Sequence, residues 1–249
     1  GTPVVNIIEK SPEEKISEII PVKEFSDNEY LVMVTKNGII KKTPASEYES
    51  IRKSGKIAIT LKEGDELISI FKTTGNDNIF LATRNGMAIC FNENDARAVG
   101  RTASGVKAID LADGDYVVGA EPVREDSKVL LVTDGGYGKC TDLTSFRIQH
   151  RGGKGLKAYK ITEKTGNIIG ISMVNDSEEL IMVTSEGVVI RIRIKDIATT
   201  TGRITQGVRL INLDDGVTVV SMDKISAEDA VEEESEENNT EVTTETTEE

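Results

Sequence analysis

Four stretches of the chain carry one succession of apolar and polar positions. Each has an apolar run, a threonine, a turn closing on glycine, and then a more polar run. They span 31–38, 80–86, 130–136 and 181–187, with Thr35, Thr83, Thr133 and Thr184 ahead of Gly38, Gly86, Gly136 and Gly187. The run before each threonine is apolar at consecutive positions, which predicts a strand buried on both faces. The run after the glycine alternates, most clearly over Ile190-Arg191-Ile192-Arg193-Ile194-Lys195, where one face is aliphatic and the other cationic. Asn37-Gly38 and Asn85-Gly86 suit a tight turn, since both residue types accept positive φ. Each unit therefore predicts a β-hairpin.

A second element follows each hairpin, opening on Gly55, Gly105, Gly155 and Gly207 at spacings of 50, 50 and 52 residues. Each reads as a strand over 55–61, 105–111, 155–161 or 207–213, then a polar turn such as Asp113-Gly114, then another apolar strand. About 50 residues and four strands per unit predict the blade of a propeller-like array. The expected fold is all-β, with complete repeats over 26–75, 76–126, 127–177 and 178–225. Asn6 in the opening segment matches Asn212, so residues 1–25 are expected to be the second half of a preceding repeat, as in a fragment of a longer array. No long helical periodicity appears.

Charge sharpens this picture. The formal net charge is −13, yet residues 226–249 hold eleven acids and no Lys or Arg; taking these from 43 acids leaves 32 against 30 bases. The body is near neutral. The tail is expected to stay disordered, because it lacks the apolar surface to offset ordering, and to compete with other anions for basic surface. No apolar run reaches the ~20 residues of a membrane span, and no signal peptide opens the chain. Cys90 and Cys140 occupy the same offset in successive repeats, so they are expected in different modules, unbonded, in a reducing cytoplasm.

Catalytic readings are weak. His150 is the single histidine, and no Ser/Asp arrangement matches it. Gly153, Gly155 and Ala158 formally match a dinucleotide fingerprint, but no helix pattern follows. Asp110, Asp113 and Asp115 lack the spacing of a calcium loop and read as a turn. No Cys/His cluster offers a zinc site, and no cofactor or metal is expected in this chain.

The strongest chemical signal is Gln149-His150-Arg151-Gly152-Gly153-Lys154-Gly155, flanked by Arg147 and Lys157. Between Lys139 and Lys164 seven bases face two acids. Glycines that leave N–H groups open beside Lys and Arg suit a polyanion. Cations also recur in register. Arg101, Arg151 and Arg203 stand four residues before a second-element glycine, with Arg52 near the first. Lys107, Lys157 and Arg209 stand two residues after one. Lys41, Lys42, Lys139, Arg191 and Arg193 lie on the second hairpin strands. Equivalent positions in a propeller share a radius, so these predict an arc of cations suited to bent duplex DNA, with a protein-binding scaffold as the competing reading.

The loop resembles the gyrase A box, and over 1–225 the repeats resemble the C-terminal β-pinwheel of the bacterial DNA gyrase A protein. The resemblance implies a non-catalytic domain whose basic edge bends and wraps DNA for a cytoplasmic, nucleoid-associated type II topoisomerase. The ATP and Mg2+ sites would lie elsewhere, in an assembly with the rest of gyrase A and with gyrase B. It implies phosphate contacts at Arg151 and Lys154, on a loop shaped by Gly152, Gly153 and Gly155. His150 departs from the arginine usual there, and the box stands in the third complete repeat, more like the box-like loop of a late blade. The C-terminal domain of topoisomerase IV uses similar blades without a good box.

Overall fold

The computed structural model describes residues 16, 18–50 and 55–226. The acidic tail from 227, residues 1–15 and 17, and the segment 51–54 with Arg52 lie outside the described residues. The described residues form four blades on one plan, each built on an antiparallel hairpin. A central hairpin is flanked on the inner side by the strand that follows it, and in three blades it is covered on the outer side by a short strand from the next repeat. The first blade has β1 (Tyr30–Thr35), β2 (Ile39–Pro44) and β3 (Leu67–Thr73). The second has β4 (Asn78–Thr83), β5 (Met87–Asn92) and β7 (Val117–Pro122), and β6 (Val106–Lys107) leaves it to pair with β2. The third has β8 (Lys128–Thr133), β9 (Tyr137–Asp142) and β11 (Ile168–Val174), while β10 (Leu156–Lys157) crosses to β5. The fourth has β12 (Glu179–Thr184), β13 (Val189–Arg193) and β16 (Val219–Ile225). It sends β14 (Thr199–Thr200) and β15 (Val208–Arg209) to β9.

This exchange corrects the expected blade. The second element is not a full strand of its own repeat: only two residues of each pair, and they pair with the preceding hairpin. No strand forms over 55–61. The glycine opening each element shows why the crossing needs that residue. At Gly105, Gly155 and Gly207, φ is +89°, +73° and +69°, and a Cβ would stand 2.5, 2.4 and 2.3 Å from the carbonyl oxygen of Ile40, Ala88 and Gly138. No side chain fits so close to a backbone oxygen.

The repeated threonine closes the hairpin turn. Thr35, Thr83 and Thr133 Oγ1 accept from the backbone N–H of Ile39, Met87 and Tyr137 at 3.2 Å, and Thr184 Oγ1 from that of Val188 at 3.1 Å. The glycine carbonyl at the same turn receives the crossing segment: Gly38, Gly86 and Gly136 accept from the N–H of Ala108, Ala158 and Leu210 at 2.7, 2.8 and 2.9 Å.

The core lies between blades. Because side chains alternate along a strand, Ile79 and Leu81 pack toward the first blade while Phe80 and Ala82 pack toward the third. Likewise Val129 and Leu131 meet the second blade, and Leu130 and Val132 the fourth. Burial of each of the larger of these side chains, Ala82 excepted, stabilises by roughly 1.5–3 kcal/mol. The inner strands β3, β7, β11 and β16 border a central cavity of about 540 Å³. There Glu121 accepts from Ser172 Oγ at 2.9 Å, Met173 N at 3.0 Å and Lys224 Nζ at 2.9 Å, tying three blades together.

Cys90 and Cys140 are both buried and free, in the second and third blades. Asp113-Gly114 forms a turn, and Asp115 caps the second hairpin by accepting from Thr83 Oγ1 at 2.6 Å and Asn85 N at 3.0 Å. Among the described residues no Cys, His, Asp and Glu group has metal-site geometry.

Candidate nucleic-acid interface

The predicted cations divide into three groups. The first is buried. Lys41, Lys42 and Lys139 are 1%, 4% and 0% exposed, so the expectation that they join the surface arc is wrong. Lys41 Nζ donates to the carbonyls of Ala58 and Arg101. Lys139 Nζ donates to the Arg203 carbonyl, to the Gly202 carbonyl at 3.4 Å and to Thr205 Oγ1 at 3.1 Å, and lies 5.2 Å from the Tyr159 ring centroid. Lys42 pairs with the buried Glu93 carboxylate at 2.8 Å. Their strand is inside because the next repeat crosses over it. Burial, helped by a nearby arginine (Arg101 or Arg203), lowers the Lys41 and Lys139 amines to about 8.

The second group is half-buried and straps repeat to repeat. Arg101 donates to the Ile57 carbonyl at 2.7 Å, Arg151 to that of Lys107 at 3.0 Å, and Arg203 to that of Lys157 at 3.2 Å. In every case the acceptor is two residues past the preceding repeat's crossing glycine. Arg151 also donates Nε to the Asp95 carbonyl at 2.7 Å. Each of these guanidiniums thus gives at least one N–H to a carbonyl, so beside the phosphate contact expected of it each also links two repeats.

The third group is exposed: Arg147, Lys154, Lys107, Lys157, Arg209, Arg191 and Arg193. Lys107 pairs with Asp110 at 2.8 Å, and this contact holds the exposed carboxyl below its usual range. Arg209 donates to Tyr137 Oη at 3.1 and 3.0 Å and to Asn212 Oδ1 at 2.8 Å. Arg193 bonds Asp196 at 2.8 Å, and Arg191 pairs with Glu179 across the hairpin. Lys107, Lys157 and Arg209 occupy the same position on the short strands β6, β10 and β15. Because those strands lie on successive hairpins, the three cations step from blade to blade.

The glycine-rich loop runs from the third blade onto the second. Gln149 N donates to the Cys90 carbonyl at 2.8 Å, Gly152 N to that of Ala108 at 2.6 Å, and Gly153 O accepts from Asp110 N at 2.9 Å. Gly152 has φ +80°. Gln149 turns its amide nitrogen into the interior, which corrects its expected place on the binding face. Lys154 borders a cavity with Asp110, Asp113 and Asp115. Asp95, which the sequence reading missed, completes the loop's support through His150 and Arg151. An acid recurs at its position in three of the four repeats, as Glu47, Asp95 and Asp196 with Ser145 in the other, and that recurrence is the signal that could have found it.

Hairpins that exchange an outer strand around a cavity, with cations stepping along the exchanged strands, define a propeller of the strand-swapped kind. Residues 29–74, 77–124, 127–175 and 178–226 match the family described as DNA gyrase C-terminal domain, beta-propeller, and the chain belongs to that family. It is 49% identical over 230 residues to the DNA gyrase A protein of Clostridium acetobutylicum and 55% identical over 229 residues to that of Halalkalibacterium halodurans. Both alignments cover 92% of this chain but only 28% and 27% of the relatives, so the chain spans about a quarter of their length. Among solved structures, the C-terminal domain of DNA topoisomerase IV superposes with a TM-score of 0.86 at 29% identity, covering 97% of this chain and 75% of that one. The DNA gyrase A C-terminal domain gives 0.80 at 25% identity, covering 90% and 75%. Among the described residues no helix is long and apolar enough to cross a membrane.

Proposed function

We propose that this chain binds duplex DNA without sequence preference and holds it in a bend along the exposed cations of its rim. It would act as the DNA-wrapping part of a gyrase A protein, supporting ATP-dependent negative supercoiling. Strand passage and ATP hydrolysis with Mg2+ fall to parts outside this chain and to gyrase B. The observation that carries this reading is the recurrence of an exposed cation at one strand position in three successive repeats, Lys107, Lys157 and Arg209. Arginine and lysine at fixed intervals meet phosphates, which recur at fixed intervals, and say nothing about bases. The topoisomerase IV domain is the second reading, favoured by its higher structural similarity. Relatives at 49% and 55% identity favour gyrase.

The test is fluorescence anisotropy with two unrelated duplexes over a salt series. Both are expected to bind equally, with log K falling by about 0.9 for each phosphate neutralised per tenfold rise in salt. A flat salt response removes the electrostatic reading. A large preference for one duplex removes the non-specific one.

A further inference from the structure

The crossing loops of the array are not held alike. The loops at Arg101 and at Gly202–Arg203 hang from buried lysines, Lys41 and Lys139, in the first and third blades. The equivalent residue of the second blade is Ile89, which is buried in the core and has no side-chain donor. Yet the loop crossing that blade is the glycine-rich one carrying Arg147 and Lys154. Its side-chain anchorage converges on Asp95. One carboxylate oxygen accepts from Arg151 N at 3.2 Å and lies 3.2 Å from His150 Nδ1, while the Asp95 carbonyl takes Arg151 Nε at 2.7 Å.

Asp95 is a firm post. It ends the 3-10 turn Glu93–Asp95 directly after β5. Glu93 at the head of that turn is 0% exposed and accepts from Gly75 N and Asp77 N at 2.8 Å besides pairing with Lys42. The Asp95 side chain is one-quarter exposed, and the His150 ring it meets is almost fully exposed. A side-chain contact this open contributes little. The bond to a backbone N–H, by contrast, orients the loop itself.

We infer that Asp95 is a positioning residue for the glycine-rich loop, holding it so that Arg147 and Lys154 face a bound polyanion, and touching no DNA itself. The inference rests on the DNA-binding reading above and makes a prediction of unusual sign. Removing an acid from a basic rim raises affinity for DNA by simple electrostatics. Removing this one lowers it.

Asp95→Ala and Asp95→Asn separate the two effects, because they carry the same charge and differ in whether an acceptor remains for Arg151 N. Three chains, the parent and these variants, are compared by anisotropy on one random duplex and by amide hydrogen exchange without DNA, both scaled to the folded fraction from a melting curve. The expected result is that Asp95→Ala binds roughly fivefold more weakly than the parent, and that Asp95→Asn binds as the parent does. Exchange over 147–155 rises in the alanine variant alone. The inference is overturned if both variants bind alike and at least as tightly as the parent, or if exchange over the loop is unchanged in Asp95→Ala. Should the parent itself not bind DNA, the functional reading falls, and the exchange data still decide whether Asp95 positions the loop.

Discussion

The third blade and the second solve one packing problem with opposite chemistry. Both receive a crossing strand behind a glycine pressed on a carbonyl, Gly207 on Gly138 and Gly155 on Ala88. Beneath the crossing, the third blade holds an amine, Lys139, that satisfies loop carbonyls. The second holds Ile89, which satisfies none and packs into the core between the first and second blades. A buried slot in a repeat thus accepts either an apolar side chain or a charged one, provided the backbone groups above it find partners. Where the lysine is absent, the loop is held from the side, by Asp95 and by the Arg151 strap. The loop over the blade without the buried cation carries the exposed Arg147 and Lys154, whereas the loop over the first blade carries the exposed Arg97.

The largest expected effect breaks what the two blades share. Gly155→Ala places a methyl 2.4 Å from the Ala88 carbonyl at a positive φ and is expected to cost more than about 3 kcal/mol in urea unfolding. Gly55→Ala is the control: φ is +71° but nothing lies within 4 Å, so only the left-handed backbone penalty of roughly 1–2 kcal/mol applies. Equal costs at the two positions would remove the close approach as the reason for glycine.

The next effect breaks the difference. Lys139→Ala leaves a cavity and orphaned carbonyls and is expected to cost about 2–4 kcal/mol; Lys139→Ile, which copies the second blade, recovers part of this. The two versions also differ in pH dependence. Burial lowers Lys139 to about 8 from 10.5, so between these values the unfolded chain binds more protons than the folded one. Its contribution to stability is therefore complete above pH 10.5 and is lost as pH falls to about 8. The parent is expected to gain on Lys139→Ile as pH rises from about 8 to about 10, read as the difference in urea midpoint. A difference independent of pH contradicts the buried amine.

The smallest effect sharpens the division between strap and rim. Arg151→Ala is expected to cost roughly 1 kcal/mol of stability and, because the strap holds the loop, to weaken DNA binding per folded molecule without lowering the salt slope. Lys154→Ala is expected to leave stability within about 0.5 kcal/mol and to lower the salt slope by about 0.9. If Arg151→Ala instead lowers the salt slope at unchanged stability, Arg151 belongs to the rim.

Much of the fold was legible because it is periodic. The Thr-to-Gly hairpins recur in sequence since each turn needs a hydroxyl acceptor and a positive φ, as Thr83 and Gly86 show. The continuous apolar runs announced strands with a blade on either side, as Leu130 and Leu131 confirm. The arginine recurrence was visible too, and its register was correct. The strap each arginine makes was not visible, because a cation four residues before a glycine reads the same whether it faces solvent or a carbonyl.

What the sequence determined by itself was the repeat, its turns and the all-β class, since these depend on contacts a few residues apart and on side-chain alternation. What only the tertiary structure decided was which strand covers which hairpin. That choice buried Lys41, Lys42 and Lys139, turned Arg101, Arg151 and Arg203 into straps, and left Lys107, Lys157 and Arg209 outside. The pairings join residues about 50–70 apart, such as Ile40 with Val106 and Gly138 with Val208. A local pattern sets which face of a strand is apolar. It cannot say which neighbour will lie upon that face, because exchange within one repeat and exchange with the next satisfy the same hydrogen bonds.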